Sequence, residues 1–143
     1  MPPDPARAII ERYRLEWKKF GRSDAELPLM GISRHVVLAD SSAEAVRIVE
    51  RAYRPWLKHM ELLWVRNGTK LPLGLPPEIG PLLDARAAFA GTVSEFKSFL
   101  DEQVRSTGAN YFVCDVAFGD LAPEESLRTI KLLGEQVIPQ FGN

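Results

Sequence analysis

The chain has 143 residues and a mass of 16.0 kDa, enough for one domain with its own core. It is 45% hydrophobic and 26% charged, and 18 Lys+Arg against 19 Asp+Glu leave a net charge of -1. That balance excludes the basic footprint of a nucleic-acid or anionic-membrane binder. A single cysteine, Cys114, rules out an internal disulfide, so a reducing, cytoplasmic compartment is expected. The opening MPPDPARAII has no basic region followed by an apolar core, so no secretory signal is expected. No apolar run approaches the ~20 residues of a membrane helix.

The first predicted element is a helix over Pro5 to Phe20. Asp4 is placed to cap it and Pro5 sits at its first position. Ile9, Tyr13, Trp17 and Phe20 recur at helical spacing as its apolar stripe, and Gly21 stops it. Leu29 to Leu38 reads as a strand, with β-branched Ile32, Val36 and Val37. Ser41 and Glu44 form an S-x-x-E capping box opening a helix whose inner face is Ala45, Ile48, Val49 and Ala52. Pro55 is expected to kink or break that helix after Arg54. A second helical segment, Trp56 to Val65, would then run to Asn67-Gly68.

NGTKLPLGLPPEIGP is a loop by its prolines and glycines, and its leucines imply packing against something. A short helix is expected over Leu82 to Phe89. Thr92 or Ser94 caps the next helix, which runs to about Ser106 with Phe96, Phe99, Leu100 and Gln103 inward; Gly108 ends it. Asn110 to Phe118 reads as a second strand. Asp120 to Glu124 lead into a last helix ending near Ile138, with Leu127, Ile130, Leu133 and Val137 as its stripe. Strands alternating with helices point to a parallel α/β arrangement. Two strands are too few for a sheet by themselves.

An acid inside an apolar strand is costly unless paired, protonated or wet, so Asp115 either lines a site or faces water. Strand alternation puts Gly31, Ser33 and His35 on one face and Ile32, Arg34 and Val36 on the other. His35 suits proton transfer near neutral pH, or is a satisfied structural histidine. Arg34 is expected to pair with an acid between strand and helix, and His59 to lie on the surface. The two histidines lack carboxylates at ligand spacing, so no metal is expected. Cys114 reads as a small core hydrophobe. Trp17, Trp56 and Trp64 read as packing. GxGxxG, P-loop and GxSxG motifs are absent from the sequence.

Four stretches carry a family resemblance: MGISRHVVLADSSAEA, RIVERAYRPWLKHMELLW, AGTVSEFKSFLDEQVRSTGANYF and FVCDVAFGDLAPEESLRTIKLLGEQVIPQF. In order and spacing they resemble the C-terminal part of luciferase-like flavin-dependent monooxygenases, over nearly the whole chain. The ending AFGDL…E.SLR…VIP.F is the most specific part. The resemblance implies a partial (β/α)8 TIM barrel, residues 1–143 forming one C-terminal fragment of βα units with a helical insertion. Pro5 to Phe20 would be the sixth helix, Leu29 to Leu38 the seventh strand and Asn110 to Phe118 the eighth, with Leu71–Pro81 in the insertion. Complete barrels take ~250 residues, so the first six strands would lie elsewhere. The chain departs from the family at Gly91-Thr92-Val93-Ser94, which has no proline. It departs again at Lys131-Leu132-Leu133-Gly134, and at Asp115, where an amide is common.

The resemblance implies an oxidoreductase using reduced FMN or a deazaflavin coenzyme, and O2, on a small organic substrate. His35 would be the catalytic residue; Ser33, Asp115, Phe118 and Asp120 would line the pocket, with Gly119 turning the chain at its rim. Asp120 alternatively caps the last helix. A homo-oligomer or a partner chain would supply the missing strands, and the chain alone would be inactive. The other reading is a non-catalytic remnant that associates with itself through open strand edges.

Overall fold

The computed structural model describes residues 5–141; Asp4, the expected first cap, lies outside them. Helix α1 (Pro5–Lys19) and a 3-10 turn (Asp24–Glu26) precede strand β1 (Gly31–Leu38). A 25-residue helix, α2 (Ser42–Arg66), and a short helix, α3 (Gly80–Asp84), lead to β2 (Ala88–Gly91). Helix α4 (Val93–Thr107) then leads to β3 (Tyr111–Asp115). The chain closes with α5 (Pro123–Leu132), a π-helical turn (Leu133–Val137) and α6 (Ile138–Phe141).

The three strands form one parallel sheet in the order β2-β1-β3. This corrects the expected partial TIM barrel: the sheet is open, with helices packed on both faces and β1 at its centre. The physical reason is that β2 and β3 each pair with β1 alone, so nothing carries the hydrogen bonding onward into a ring. The α/β class with parallel strands stands.

Strand β1 sorts its side chains between two cores. Val37 faces α2, packing with Ala45, Val49, Ala52, Tyr53 and Phe118. Val36 and Leu38 face α4 and the chain end, among Phe89, Phe96, Phe99 and Val137. The Phe89, Phe96 and Phe99 rings lie 5.0 to 5.9 Å apart between centroids, within the range of favourable aromatic pairs. The buried Thr129 hydroxyl accepts the Leu38 N–H at 3.1 Å, tying α5 to the end of β1. At the other end, the Asn110 side-chain carbonyl accepts the Met30 N–H at 2.7 Å, and Met30 O accepts the Asn110 N–H at 3.0 Å. That clasp starts β1 and β3 in step.

The caps follow the sequence. Ser41 Oγ accepts the Glu44 N–H, and Thr92 with Glu95 makes a reciprocal capping box. Gly108 takes the left-handed conformation after α4. Four expectations change. Helix α2 runs through Pro55 without a break. Burial of Ala52 and Tyr53 before the proline and Leu57 after it holds both halves against one core, offsetting the hydrogen bond the proline cannot make. The tail of the expected helix Leu82–Phe89 is instead β2, because Ala88 and Phe89 are needed beside His35 and Val36. On α1 the inward residue is Ile10, while Ile9, Tyr13 and Phe20 are exposed. On α5 Thr129 is buried, and Leu127 and Ile130 face solvent. The loop between α2 and α3 does pack: Leu75 and Ile79 join the α2 core, and Tyr53 Oη donates to Pro76 O at 2.8 Å.

Gly119 has φ +60°, and a β-carbon there would lie 1.8 Å from Ala52 O, inside the backbone of α2. Gly119→Ala is therefore expected to destabilise the fold by about 2–4 kcal/mol, through left-handed strain and overpacking together. Urea denaturation measures this; a loss under about 1 kcal/mol would show that the contact with α2 is not tight.

Candidate functional site

The β1–β3 register sets His35 directly beside Asp115. Both side chains stand on the sheet face that α2 covers at one end and leaves open at the other. Val37 is buried on that face, whereas Gly31, Ser33, Tyr111 and Val113 are exposed. His35 Nδ1 lies 2.8 Å from Asp115 Oδ2, with 13% and 38% of the two side chains accessible. The ring N–H does not point along that line, so Nδ1 lacks a well-formed hydrogen bond and the contact is chiefly electrostatic. A carboxylate at this distance favours the tautomer carrying its proton on Nδ1, which leaves Nε2 as the basic atom; the proton position is assigned from geometry.

Two aromatic rings enclose the imidazole. Trp56 meets it edge-on at 4.4 Å between centroids, and Phe118 lies tilted at 4.3 Å. Tyr53 backs Trp56 at 5.4 Å. Burial pushes the His35 pKa below its ordinary value of 6.5, and the Asp115 carboxylate opposes that shift. His35 is thus predominantly neutral near pH 7, with an anion at hand to stabilise its cation. The arrangement can take up or deliver a proton at the edge of an apolar wall.

The other expected site residues are distributed as follows. Phe118 is buried against His35. Ser33 is exposed on the same sheet face, two residues from His35. Asp120 is turned away: its Oδ1 accepts from Arg51 Nε at 3.2 Å, and Arg51 also clasps Glu125. The cap of α5 is not Asp120 either, since Ala122 holds that position and the Glu125 carboxylate accepts the Ala122 N–H. Arg34 Nε donates to the amide oxygen of Gln103 at 3.0 Å. His59 is exposed.

Trp56 is the site residue that the sequence reading assigned to packing alone. Its signal was its place after Tyr53 and Pro55, which becomes informative only once α2 is continuous. Cys114 is half-buried on the opposite face, its thiol pushed up to about 11 by burial, which makes it a poor nucleophile. Among the described residues, no three His, Cys, Asp or Glu side chains are grouped to hold a metal. Among them also, no helix is long and apolar enough to cross a membrane.

No family model matches the chain. An uncharacterized protein, y4wF, of Sinorhizobium fredii (strain NBRC 101917 / NGR234) is 26% identical over 141 residues, covering 99% of this chain and 41% of that protein. The crystal structure of monooxygenase RslO1 from Streptomyces bottropensis matches with a TM-score of 0.73 at 20% identity, over 97% of this chain and 40% of that one. The chain therefore spans about two fifths of the length of either, and it shares its fold with part of a monooxygenase.

The depressed pKa of His35 ties stability to pH. Between the folded value and 6.5 the unfolded state binds more protons, so stability rises with pH there. The contribution is present above the unfolded value of 6.5 and is lost as pH falls through the folded one. His35→Gln is expected to flatten this loss, measured as the urea midpoint between pH 8 and pH 5. Equal slopes in the two proteins would mean that His35 is not held neutral by the fold.

Proposed function

We propose that this chain forms the C-terminal part of a luciferase-like, flavin-dependent monooxygenase, acting with O2 on a small organic substrate. The observation that carries the reading is the His35–Asp115 pair beside Trp56 and Phe118, at the border between the covered and open parts of one sheet face. The fold shared with part of a monooxygenase supports it.

A reduced flavin is a flat heteroaromatic ring with a polar edge. The Trp56 and Phe118 rings offer apolar contact, and the imidazole offers Nε2, the nitrogen that does not face Asp115. The residues present thus fit the ring portion of reduced FMN or of a deazaflavin coenzyme. The cofactor, when bound, supplies the electrons for oxygen chemistry. His35 would meet its polar edge and hold or release a proton at Nε2. Asp115 would stabilise the imidazolium across 2.8 Å. Trp56 and Phe118 would keep water from the imidazole, and Ser33 would face the substrate side. The reading includes a homo-oligomer, or a partner chain adding strands to the open sheet.

A second reading, a non-catalytic self-associating module, is favoured by one observation: Ile9, Phe20, Leu63 and Val65 are each at least 65% exposed, more apolar surface than a solitary domain usually shows.

Titrating the 143-residue chain with FMN, followed by flavin fluorescence, separates the two. Saturable binding is expected, weakened at least about 10-fold, or 1.4 kcal/mol, in His35→Ala. Binding that never saturates, or that is indifferent to His35→Ala, overturns the flavin reading and leaves the second. No turnover is expected from the chain alone.

A further inference from the structure

Phe118 reaches His35 from a turn that α2 holds at two neighbouring residues. On one side, Gly119 rests on the carbonyl of Ala52. On the other, the Arg51 guanidinium gathers three carboxylate oxygens. Its Nε donates to Asp120 Oδ1 at 3.2 Å, and its two terminal nitrogens donate to the two oxygens of Glu125 at 3.1 and 2.5 Å. Glu125, in the first turn of α5, also accepts the Ala122 N–H at 2.9 Å. The Leu121 N–H closes the turn on Phe118 O at 3.2 Å. One guanidinium thus ties the exit of the turn to the start of α5. The fork that makes this possible belongs to arginine and not to lysine. All of these contacts lie within the chain and are independent of what covers its outer surface.

We infer that Arg51 is a positioning residue: it holds the 118–122 turn so that the Phe118 ring stays against the His35 imidazole and keeps water from it. The contact at Gly119 by itself leaves the turn free to pivot about Ala52; the clasp at Arg51 removes that freedom. Phe118 is 6% exposed and lies 4.3 Å from the imidazole between ring centroids, so a small pivot opens that side of the ring to solvent. Among the described residues, the groups set around the imidazole are Asp115 from β3, Trp56 backed by Tyr53 from α2, Ala88 from β2 and Phe118 from the turn. The clasp acts on the imidazole through Phe118. The inference rests on His35 being the working group of the proposed site, but its readout needs no flavin, so failure of the clasp and failure of flavin binding are seen separately.

The chain has two histidines, and His59 is exposed. The His35 ring can therefore be followed by NMR through a pH titration of the folded protein, with His59→Gln fixing the assignment. Arg51→Lys keeps the charge and loses the fork. It is expected to raise the proton-binding constant of His35 at least about 3-fold, because a wetter imidazole charges more readily. It is also expected to weaken the cross-relaxation between the Phe118 and His35 rings. Glu125→Ala separates position from charge. Loss of an anion alone would lower the constant, whereas release of the turn raises it, and a rise is expected. Exposed ion pairs contribute little to stability, so the urea midpoint of Arg51→Lys is expected to move little. A merely structural role for Arg51 would leave the titration of His35 unmoved. An unchanged constant, or an unchanged ring contact, in Arg51→Lys overturns the inference. A constant that falls or stays in Glu125→Ala overturns it as well, since the turn would then not depend on the clasp.

Discussion

The register between β1 and β3 is the constraint on which the rest of the site depends. Five consecutive residues of each strand are matched, from Gly31 with Tyr111 to His35 with Asp115. A slip by one residue would turn every side chain of β3 to the other face. Asp115 would then point into the Phe96–Phe99 core, and Phe112 would face solvent. The apolar demand of Phe112 and Cys114 on one side thus fixes the acid beside the histidine on the other. The Asn110–Met30 clasp sets the start of that match, and the end of β1 is held by Thr129. A titratable pair bordering two hydrophobic cores is tolerable because Asp115 keeps contact with water while His35 sheds its charge.

The second support is α2. It covers only the C-terminal half of the sheet face, and its passage through Pro55 brings Tyr53 and Trp56 to the same wall. Gly119 lets the chain after β3 lie on the carbonyl of Ala52, which carries Phe118 under the imidazole. The pocket wall is thus set by backbone-to-backbone contact, a stiffer constraint than side-chain packing. Asp120, one residue later, is already past the turn and belongs to the surface cluster with Arg51 and Glu125. Two acids five residues apart in sequence therefore do separate work.

What the sequence made legible follows the range of the forces involved. The Ser41–Glu44 and Thr92–Glu95 caps, the Gly108 stop and the strand Gly31–Leu38 are local, and local chemistry was enough to find them. Strand β2 was not legible: Ala88-Phe89-Ala90-Gly91 has no β-branched residue, and only its place beside β1 makes it a strand. Pro55 misled for the same reason, since its local cost is outweighed by burial on both sides. The expected α1 stripe fell on the wrong side: Ile10 and Ala6, not Ile9 and Tyr13, turn to the small cluster with Met30 and Ile32. His35, Asp115 and Phe118 were singled out from the chain, but their contact is a product of register, and Trp56 joined them only through the unbroken helix.

The edge of β3 and the site are one problem, because Asp115 ends the strand that, among the described residues, pairs on one side only. Its carboxylate is more than a third accessible, so water weakens its pull on His35 in the solitary chain. Whatever covers β3 removes part of that water. Two effects then compete at His35. Lower local polarity favours the neutral ring, while a drier carboxylate attracts the imidazolium more strongly. The ring is already mostly buried between Trp56 and Phe118, so covering the edge changes the surroundings of Asp115 far more than those of the imidazole. In the structure burial is the larger of the two at His35, and the Asp115 carboxylate opposes it.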